Sequence, residues 1–262
     1  MKNPVLALLV FLFLGHEAGA VLVATPSPTN PRTSAPANGA PWDNVILTNG
    51  GSGVYLGDGW VLTAEHVFDD QAQPYVTYNS TQYLADLSQS YVLSNPQAMQ
   101  DAGYTASSDL VLFKLFAPLP GLTTVSLGTP APNQQITMIG FGGGKSWGTN
   151  TTESNYGVVS VSGNNDFIGF LTDYDTATPT EGQGTGGDSG GGAFALFGNE
   201  WKLVGLMHAV STTANPNLTL YSDISVYAPE IASIMQPSTA VPEPSLGMTA
   251  LSMILLAAYR RR

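Results

Sequence analysis

Ser189 is the residue around which chemistry can be built. It stands in the run Gly184-Thr185-Gly186-Gly187-Asp188-Ser189-Gly190-Gly191-Gly192. Glycines on both sides let backbone N–H groups turn toward one point beside the hydroxyl. Converging donors of this kind stabilise an oxyanion, which suits acyl transfer by a serine nucleophile. A serine hydroxyl also needs a general base, and histidine has the pKa for that task. The chain has three histidines, His16, His66 and His208. His16 falls in a leader that export would remove, which leaves His66 and His208.

Chain order then separates the possible sites. The glycine-serine pattern also describes the nucleophile elbow of an α/β-hydrolase, where the order is Ser, acid, His and a helix follows the serine. That order would need Glu200 and His208. After Ser189, however, the glycines run into Ala193-Phe194-Ala195, which has strand character. An Asp, His, Ser order could use Asp58 and His66, but it belongs to a helix-rich fold and this sequence lacks the helices. His, Asp, Ser remains. There is no cysteine, so thiolate chemistry, disulfides and Cys-based metal sites are excluded.

The elements that must position these residues are short and closely spaced. The 262 residues are 43% hydrophobic and 10% charged, with 29 Gly and 18 Pro, the composition of loop-rich β material. Val45-Ile46-Leu47 and Gly53-Val54-Tyr55-Leu56 flank Asn49-Gly50-Gly51. Asp58-Gly59 leads into Trp60-Val61-Leu62-Thr63, so both pairs suggest hairpins. Further strands are expected at 75–78, 110–115, 135–139, 157–161, 167–171, 193–196 and 201–207. The stretches at 118–121 and 130–132, rich in Pro, bracket a mid-chain boundary. One helix is expected over Tyr227–Met235, with Ile231, Ile234 and Met235 on one face and Pro229 in its first turn.

Several stretches together resemble the chymotrypsin/trypsin family of serine proteases over about residues 42–237. Gly59-Trp60-Val61-Leu62-Thr63-Ala64-Glu65-His66-Val67 is similar to its histidine motif, with Glu65 in place of an alanine. Ser108-Asp109-Leu110-Val111-Leu112-Phe113 is similar to its aspartate motif, Gly140-Phe141-Gly142 to the Gly-Trp-Gly that follows the first strand of its second barrel, and Gly187-Asp188-Ser189-Gly190-Gly191 to its serine motif. His66, Asp109 and Ser189 follow one another at spacings of 43 and 80 residues.

The resemblance implies an all-β fold of two antiparallel six-stranded β-barrels with a short C-terminal helix, barrel one at about 42–118 and barrel two at about 130–237. It implies a secreted serine endopeptidase acting on polypeptides through His66, Asp109 and Ser189 and an acyl-enzyme. The oxyanion hole would be formed by the N–H groups of Gly187 and Ser189. It places Gln183 at the base of the specificity pocket and Val210 and Thr219 on its walls, a shallow pocket for small apolar side chains. It also sets His208 where the family has a serine that bonds the catalytic Asp, so a contact with Asp109 is expected. No cofactor and no metal are implied, although Asp173-Tyr174-Asp175 has calcium-ligand chemistry. The family often activates by freeing an Ile or Val amine that pairs with the carboxylate matching Asp188, but no basic residue precedes Val45-Ile46. The partner of Asp188 therefore stays open. An esterase on the same triad and a catalytically silent protease-fold binding protein of the surface or matrix are the alternative readings.

The two ends carry addressing information. Lys2, the apolar run Val5–Leu14 and Ala18-Gly19-Ala20 form a secretory signal over 1–20. Residues 21–41, rich in Pro, Ser and Thr, suggest an extended, solvated linker or propeptide. Over 238–262, Pro242-Glu243-Pro244, an apolar run to Tyr259 and three arginines resemble the PEP-CTERM sorting signal of diderm bacteria, with a simple tail anchor as the alternative. The fourteen uncharged, mostly apolar residues from Leu246 to Tyr259 would rise about 21 Å as a helix, short of the roughly 30 Å of a bilayer core. The resemblance implies an exosortase-type partner, transient membrane anchoring, and a place on the cell surface or in the extracellular matrix. Between these ends only Arg32, Lys114, Lys145 and Lys202 are basic, against 17 of the chain's 19 acidic residues. Nucleic acid is thus a poor partner.

Overall fold

The computed structural model describes residues 21–24, 32–69, 72–153, 157–161, 165–211 and 217–236. The expected signal at 1–20 and the sorting segment at 238–262 lie outside the described residues. In the first half the elements are β1 (Leu22–Val23), β2 (Val45–Thr48), β3 (Ser52–Gly57), β4 (Trp60–Thr63), α1 (Glu65–Phe68), β5 (Tyr75–Tyr78), β6 (Thr81–Ser94), α2 (Gln97–Asp101) and β7 (Ser107–Leu115). In the second they are β8 (Ser126–Leu127), β9 (Gln135–Gly140), β10 (Ser146–Thr151), β11 (Gly157–Val161), β12 (Asn165–Tyr174), β13 (Gly182–Gln183), β14 (Gly192–Phe197), β15 (Glu200–Ser211), β16 (Asn217–Asp223) and α3 (Ile224–Met235).

The first half is a closed barrel in the order β2-β3-β4-β7-β6-β5. At the turn from β3 to β4, Asp58 and Gly59 both have positive φ, 51° and 87°, as a two-residue primed hairpin requires. The second half is an eight-stranded sheet in the order β10-β9-β14-β15-β16-β12-β11, with β8 added in parallel to β15. Its β10 end comes round to β12, the strand beside its other end, for Glu153 N–H donates to Leu171 O at 2.9 Å and Asn150 Nδ2 donates to Asp173 O. The all-β, trypsin-like architecture and the closing helix are those expected, with eight strands rather than six in the second half.

Burial explains why the strands are near-continuous apolar runs rather than alternating ones. Val111, Phe113 and Leu115 pack with Val61, Ile46 and Tyr55 inside the first barrel. Their neighbours on the same strand, Leu110 and Leu112, join Leu62, Phe194, Leu203, Leu206, Ile224 and Ile231 in a layer shared by both halves. A third cluster, of Ile136, Met138, Ala193, Val204, Met207 and Tyr221, fills the second half. Strands buried on both faces lose the period-2 polar signal.

Helix α3 starts earlier than Tyr227, because the Asp223 side chain accepts from Ser225 N–H at 2.9 Å and caps it. Pro229 therefore sits inside the helix and not in its first turn. Among the described residues no helix is long and apolar enough to cross a membrane.

The stretch expected as a solvated linker is packed against the second half where it is described. Val21, 5% exposed, lies in the cluster with Ile136, Met138 and Phe170. Leu22 pairs with Gln183 and Val23 with Gly182. A Cβ added at Gly148 or at Gly182 would lie 3.1 Å from Val21 Cγ1, so two glycines make the slot that this valine fills. Arg32 stacks 4.8 Å over the Trp147 ring and donates to Trp147 O at 3.1 Å. Burying one valine contributes about 1.5–3 kcal/mol. A chain beginning at Trp42 is therefore expected to melt roughly 5–10 °C below one beginning at Val21, which thermal unfolding of the two would check; equal melting temperatures would contradict the packing.

Candidate active site

His66 is delivered by geometry that its sequence neighbours impose. Strand β4 ends at Thr63, and α1 begins two residues later, so the chain turns just as it leaves the barrel. His66 N–H donates to Asp109 Oδ1 at 3.0 Å and its Nδ1 lies 2.7 Å from Asp109 Oδ2. A carboxylate accepts only, so Nδ1 carries the proton and Nε2 is left as an acceptor. The His66 side chain is 29% exposed and that of Asp109 only 2%. Burial by itself would raise the Asp109 pKa. The hydrogen bonds and charges of His208 and His66 outweigh it and hold the carboxyl well below the usual range. Glu65, half-buried beside His66, is pushed up to about 7 by burial and then by Asp69 and Asp109.

His208 makes the expected contact. It sits at a register shift in β15 between Met207 and Ala209, which turns its side chain to Asp109. Its Nδ1 donates to Asp109 Oδ2 at 3.0 Å. The donor role of Nδ1 makes Nε2 the acceptor, and Ser222 Oγ is the group that donates to it. The ring stacks on Phe167 with centroids 4.4 Å apart. Burial lowers its pKa against the pull of Asp109, so the ring is neutral. Ser222 and Phe167 carry no sequence signal of this role.

His66, Asp109 and His208 offer ligand atoms within 4.8 Å of one another, the set that could hold a metal. Their 2.7 and 3.0 Å separations are hydrogen-bond distances, and both imidazole protons point at the carboxylate. A cation would have to displace both protons. The acidic loop around Asp175 is likewise committed to its own backbone. Glu181 accepts from Asp175 N–H at 2.7 Å, and Asp175 Oδ1 from Ala177 N–H at 2.8 Å.

Ser189 Oγ donates to the carbonyl of His208 at 3.3 Å. The residue whose ring supports Asp109 thus holds the serine hydroxyl through its backbone. Gly187 and Gly190 flank Ser189 at φ +90° and +82°. Between them Asp188 is 1% exposed. It accepts from Gly142 N–H at 2.8 Å, Thr185 N–H at 2.9 Å and Thr185 Oγ1 at 3.1 Å. A Cβ at Gly140 would collide with this carboxylate, which accounts for the Gly-Phe-Gly sequence. The open question about Asp188 is resolved by these backbone and hydroxyl donors, with no ion pair to it among the described residues.

Gln183, Val210 and Thr219 gather around Gly184. Gly184 N–H donates to Thr219 Oγ1 at 3.0 Å. Val210 pairs with Thr219 across the sheet, and a Cβ at Gly184 would lie 3.2 Å from Thr219 and 3.3 Å from Val210. Gln183 is buried, and its Nε2 has no partner.

A closed β-barrel joined to an eight-stranded sheet, with His66 and His208 both on the buried Asp109 and Ser189 Oγ on the His208 carbonyl, is a two-half β architecture of the trypsin-like class. The Trypsin family model matches residues 30–231, and the chain belongs to the trypsin family of proteases. Among solved structures it is similar to the active form of the Rv3671c protease of M. tuberculosis, with 15% identity, TM-score 0.57, and coverage of 87% of this chain and 96% of that one. The MamO protease domain of Magnetospirillum magneticum gives 18% identity, TM-score 0.51, and coverage of 76% and 99%. The HtrA-type protease AlgW gives 19% identity and TM-score 0.50 over 71% of this chain and 51% of that one. At these identities the likeness shows the fold. Comparison with curated proteins gives no match.

Two outcomes follow from this geometry. His208→Ser is expected to keep kcat near wild type, since a short hydroxyl can still donate to Asp109, while melting lower because the ring leaves a void beside Phe167; a collapse of kcat like that of His66→Ala would overturn this. Asp188 is pushed up from its ordinary 3.8 to about 6 by burial, against the bonds from Gly142 and Thr185. Its contribution to stability is therefore fully present below about 3.8 and is lost as pH rises through about 6. Thermal melts at pH 5 and pH 8 should show the wild type gaining stability on acidification relative to Asp188→Asn; parallel pH dependences would contradict it.

Proposed function

We propose that this protein is an exported serine endopeptidase with Ser189 as nucleophile. The observation that carries the reading is the two-point grip of Asp109 on His66, which leaves His66 Nε2 as a proton acceptor, with Ser189 presented on the neighbouring loop. In the resting state the Ser189 hydroxyl rests on His208 O. Catalytic bonds are often loose before substrate arrives. With a peptide bound, His66 Nε2 takes the Ser189 proton as Oγ bonds to the scissile carbonyl carbon. The carbonyl π electrons move to oxygen, and that oxyanion is met by the N–H groups of Gly187 and Ser189. Collapse of the adduct expels the amine, to which His66 returns the proton, leaving an acyl-enzyme. Water, activated by His66, then releases the acid. Asp109 holds the tautomer and offsets the imidazolium charge throughout.

Because Asp188 is satisfied by Gly142 and Thr185, the oxyanion loop needs no freed amine to order it, and the enzyme is competent without a maturation cut near Val45. Gln183, Val210 and Thr219 support a preference for a small, uncharged side chain at the cleaved residue. The unpaired Gln183 Nε2 favours one that accepts a hydrogen bond, such as Thr or Ser, within that class. The tail sequence supports sorting by an exosortase-type enzyme, with transient anchoring, to the surface or matrix of a diderm bacterium.

The test is labelling of the purified protein with a fluorophosphonate probe beside Ser189→Ala, followed by a peptide library. Labelling that vanishes in Ser189→Ala, with cleavage after small uncharged residues, is the expected result. A folded wild type that does not label would favour a protease-fold binding protein, and labelling with ester but no peptide turnover would favour an esterase.

A further inference from the structure

Ser52 opens β3 with a side chain that is fully buried, a polar residue at the head of an otherwise apolar strand. It reaches three points of the second half. Its backbone N–H donates to Ser189 O at 2.8 Å. Its hydroxyl accepts from Phe141 N–H at 2.9 Å, and the one proton the hydroxyl owns goes to Gly187 O at 3.3 Å. Its carbonyl in turn accepts from Thr63 Oγ1 at 2.7 Å, which ties the arrangement back to the strand that delivers His66.

Resting on the reading of Ser189 as nucleophile, we propose that Ser52 is a positioning residue that sets the oxyanion donors from across the join of the two halves. The peptide between Gly187 and Asp188 is gripped at both polar atoms. Its oxygen is held by Ser52 Oγ and its N–H donates to Thr185 O at 3.1 Å. A Cβ at Gly187 would come within 2.9 Å of Gly142 Cα, and one at Gly190 would run into the Ser52 carbonyl. The loop thus lies close between Gly142 on one side and the Ser52 backbone on the other, and the orientation of the Gly187 peptide within that space is set by the Ser52 hydroxyl. The Gly142 wall is itself fixed twice, by Asp188 on Gly142 N–H and by Ser52 on Phe141 N–H. With the Gly187 carbonyl drawn to the first barrel, the N–H groups on either side of the gripped peptide, those of Gly187 and Ser189, keep a fixed relation to each other. Without the hydroxyl the carbonyl loses its anchor and this peptide plane can rotate, so the two donors no longer converge.

The test is Ser52→Ala, with three readings on the same protein. An oxyanion donor is worth on the order of 10²–10³ in rate, and loosening the pair should cost about tenfold in kcat with KM near wild type. The affinity for a peptide aldehyde, which forms the tetrahedral oxyanion on the serine, should fall in proportion to kcat/KM. The affinity for the matching peptide alcohol, which forms no oxyanion, should not change. A drop in all three, or in none, would overturn the role. Ser52→Cys keeps the shape and a weak donor, and is expected to recover part of the loss; it also serves if Ser52→Ala does not fold. Wild type that ignores fluorophosphonate would instead sink the nucleophile itself, a failure distinct from an aldehyde series that Ser52→Ala leaves unmoved.

Discussion

The carboxylate of Asp109 is the one buried charge on which the arrangement turns. Taken out of water it would cost several kcal/mol if left unpaired, and its two oxygens are met by three N–H groups. Two come from His66 on the turn after β4 and one from His208 on β15. The first barrel supplies the charge and the half-buried imidazole, and the second half supplies the imidazole that is wholly buried. The first half aligns His66 on both carboxylate oxygens by itself, and docking of the second half adds the third donor and seals the charge from water. Both imidazoles donate through Nδ1, and the carboxylate fixes both tautomers. The backbone of His208 then extends the chain of contacts to Ser189.

A second buried carboxylate plays the complementary part. Asp188 is as hidden as Asp109 but has only neutral donors, and its pKa moves the other way. Two aspartates with similar burial thus end at opposite extremes, because one faces imidazole rings and the other faces amides and a hydroxyl. The same environment lets the loop bearing Ser189 stand without a cation beneath it.

Much of this was legible in the sequence. The order and spacing of His66, Asp109 and Ser189, the hairpin at Asp58-Gly59 and most strands were visible because apolar runs and glycine turns report directly on burial and backbone. What escaped notice did so for physical reasons. Strand β6 is fourteen residues long but is broken by two register shifts, and only Ala85 and Leu93 along it are fully buried. Its Gln, Ser and Asp residues hide the period. Helix α3 begins at Ile224, ahead of the expected Tyr227, because the Asp223 cap and buried Ile224, Tyr227 and Ile231 outweigh the hydrogen bond that Pro229 removes. The packing of Val21–Ala24 could not be seen, since its partner strand is a glycine–glutamine pair with no pattern of its own. Ser52 and Ser222 were silent because a serine's role depends wholly on what distant residue it meets.

The pairings that matter span great lengths of chain. Leu22 meets Gln183, Ser52 meets Gly187 and Asp109 meets His208. Such a topology has high contact order and folds slowly, since long loops must close before their contacts repay the entropy. A chain emerging from its N-terminus therefore holds no complete site until β15 and β16 have appeared. The barrel that comes first is already a closed sheet, yet it carries an aspartate and a histidine with nothing to attack. The grouping of His66, Asp109, Ser189 and His208 thus comes into being only once both halves have been synthesised, and the order of synthesis itself keeps shorter nascent fragments without it.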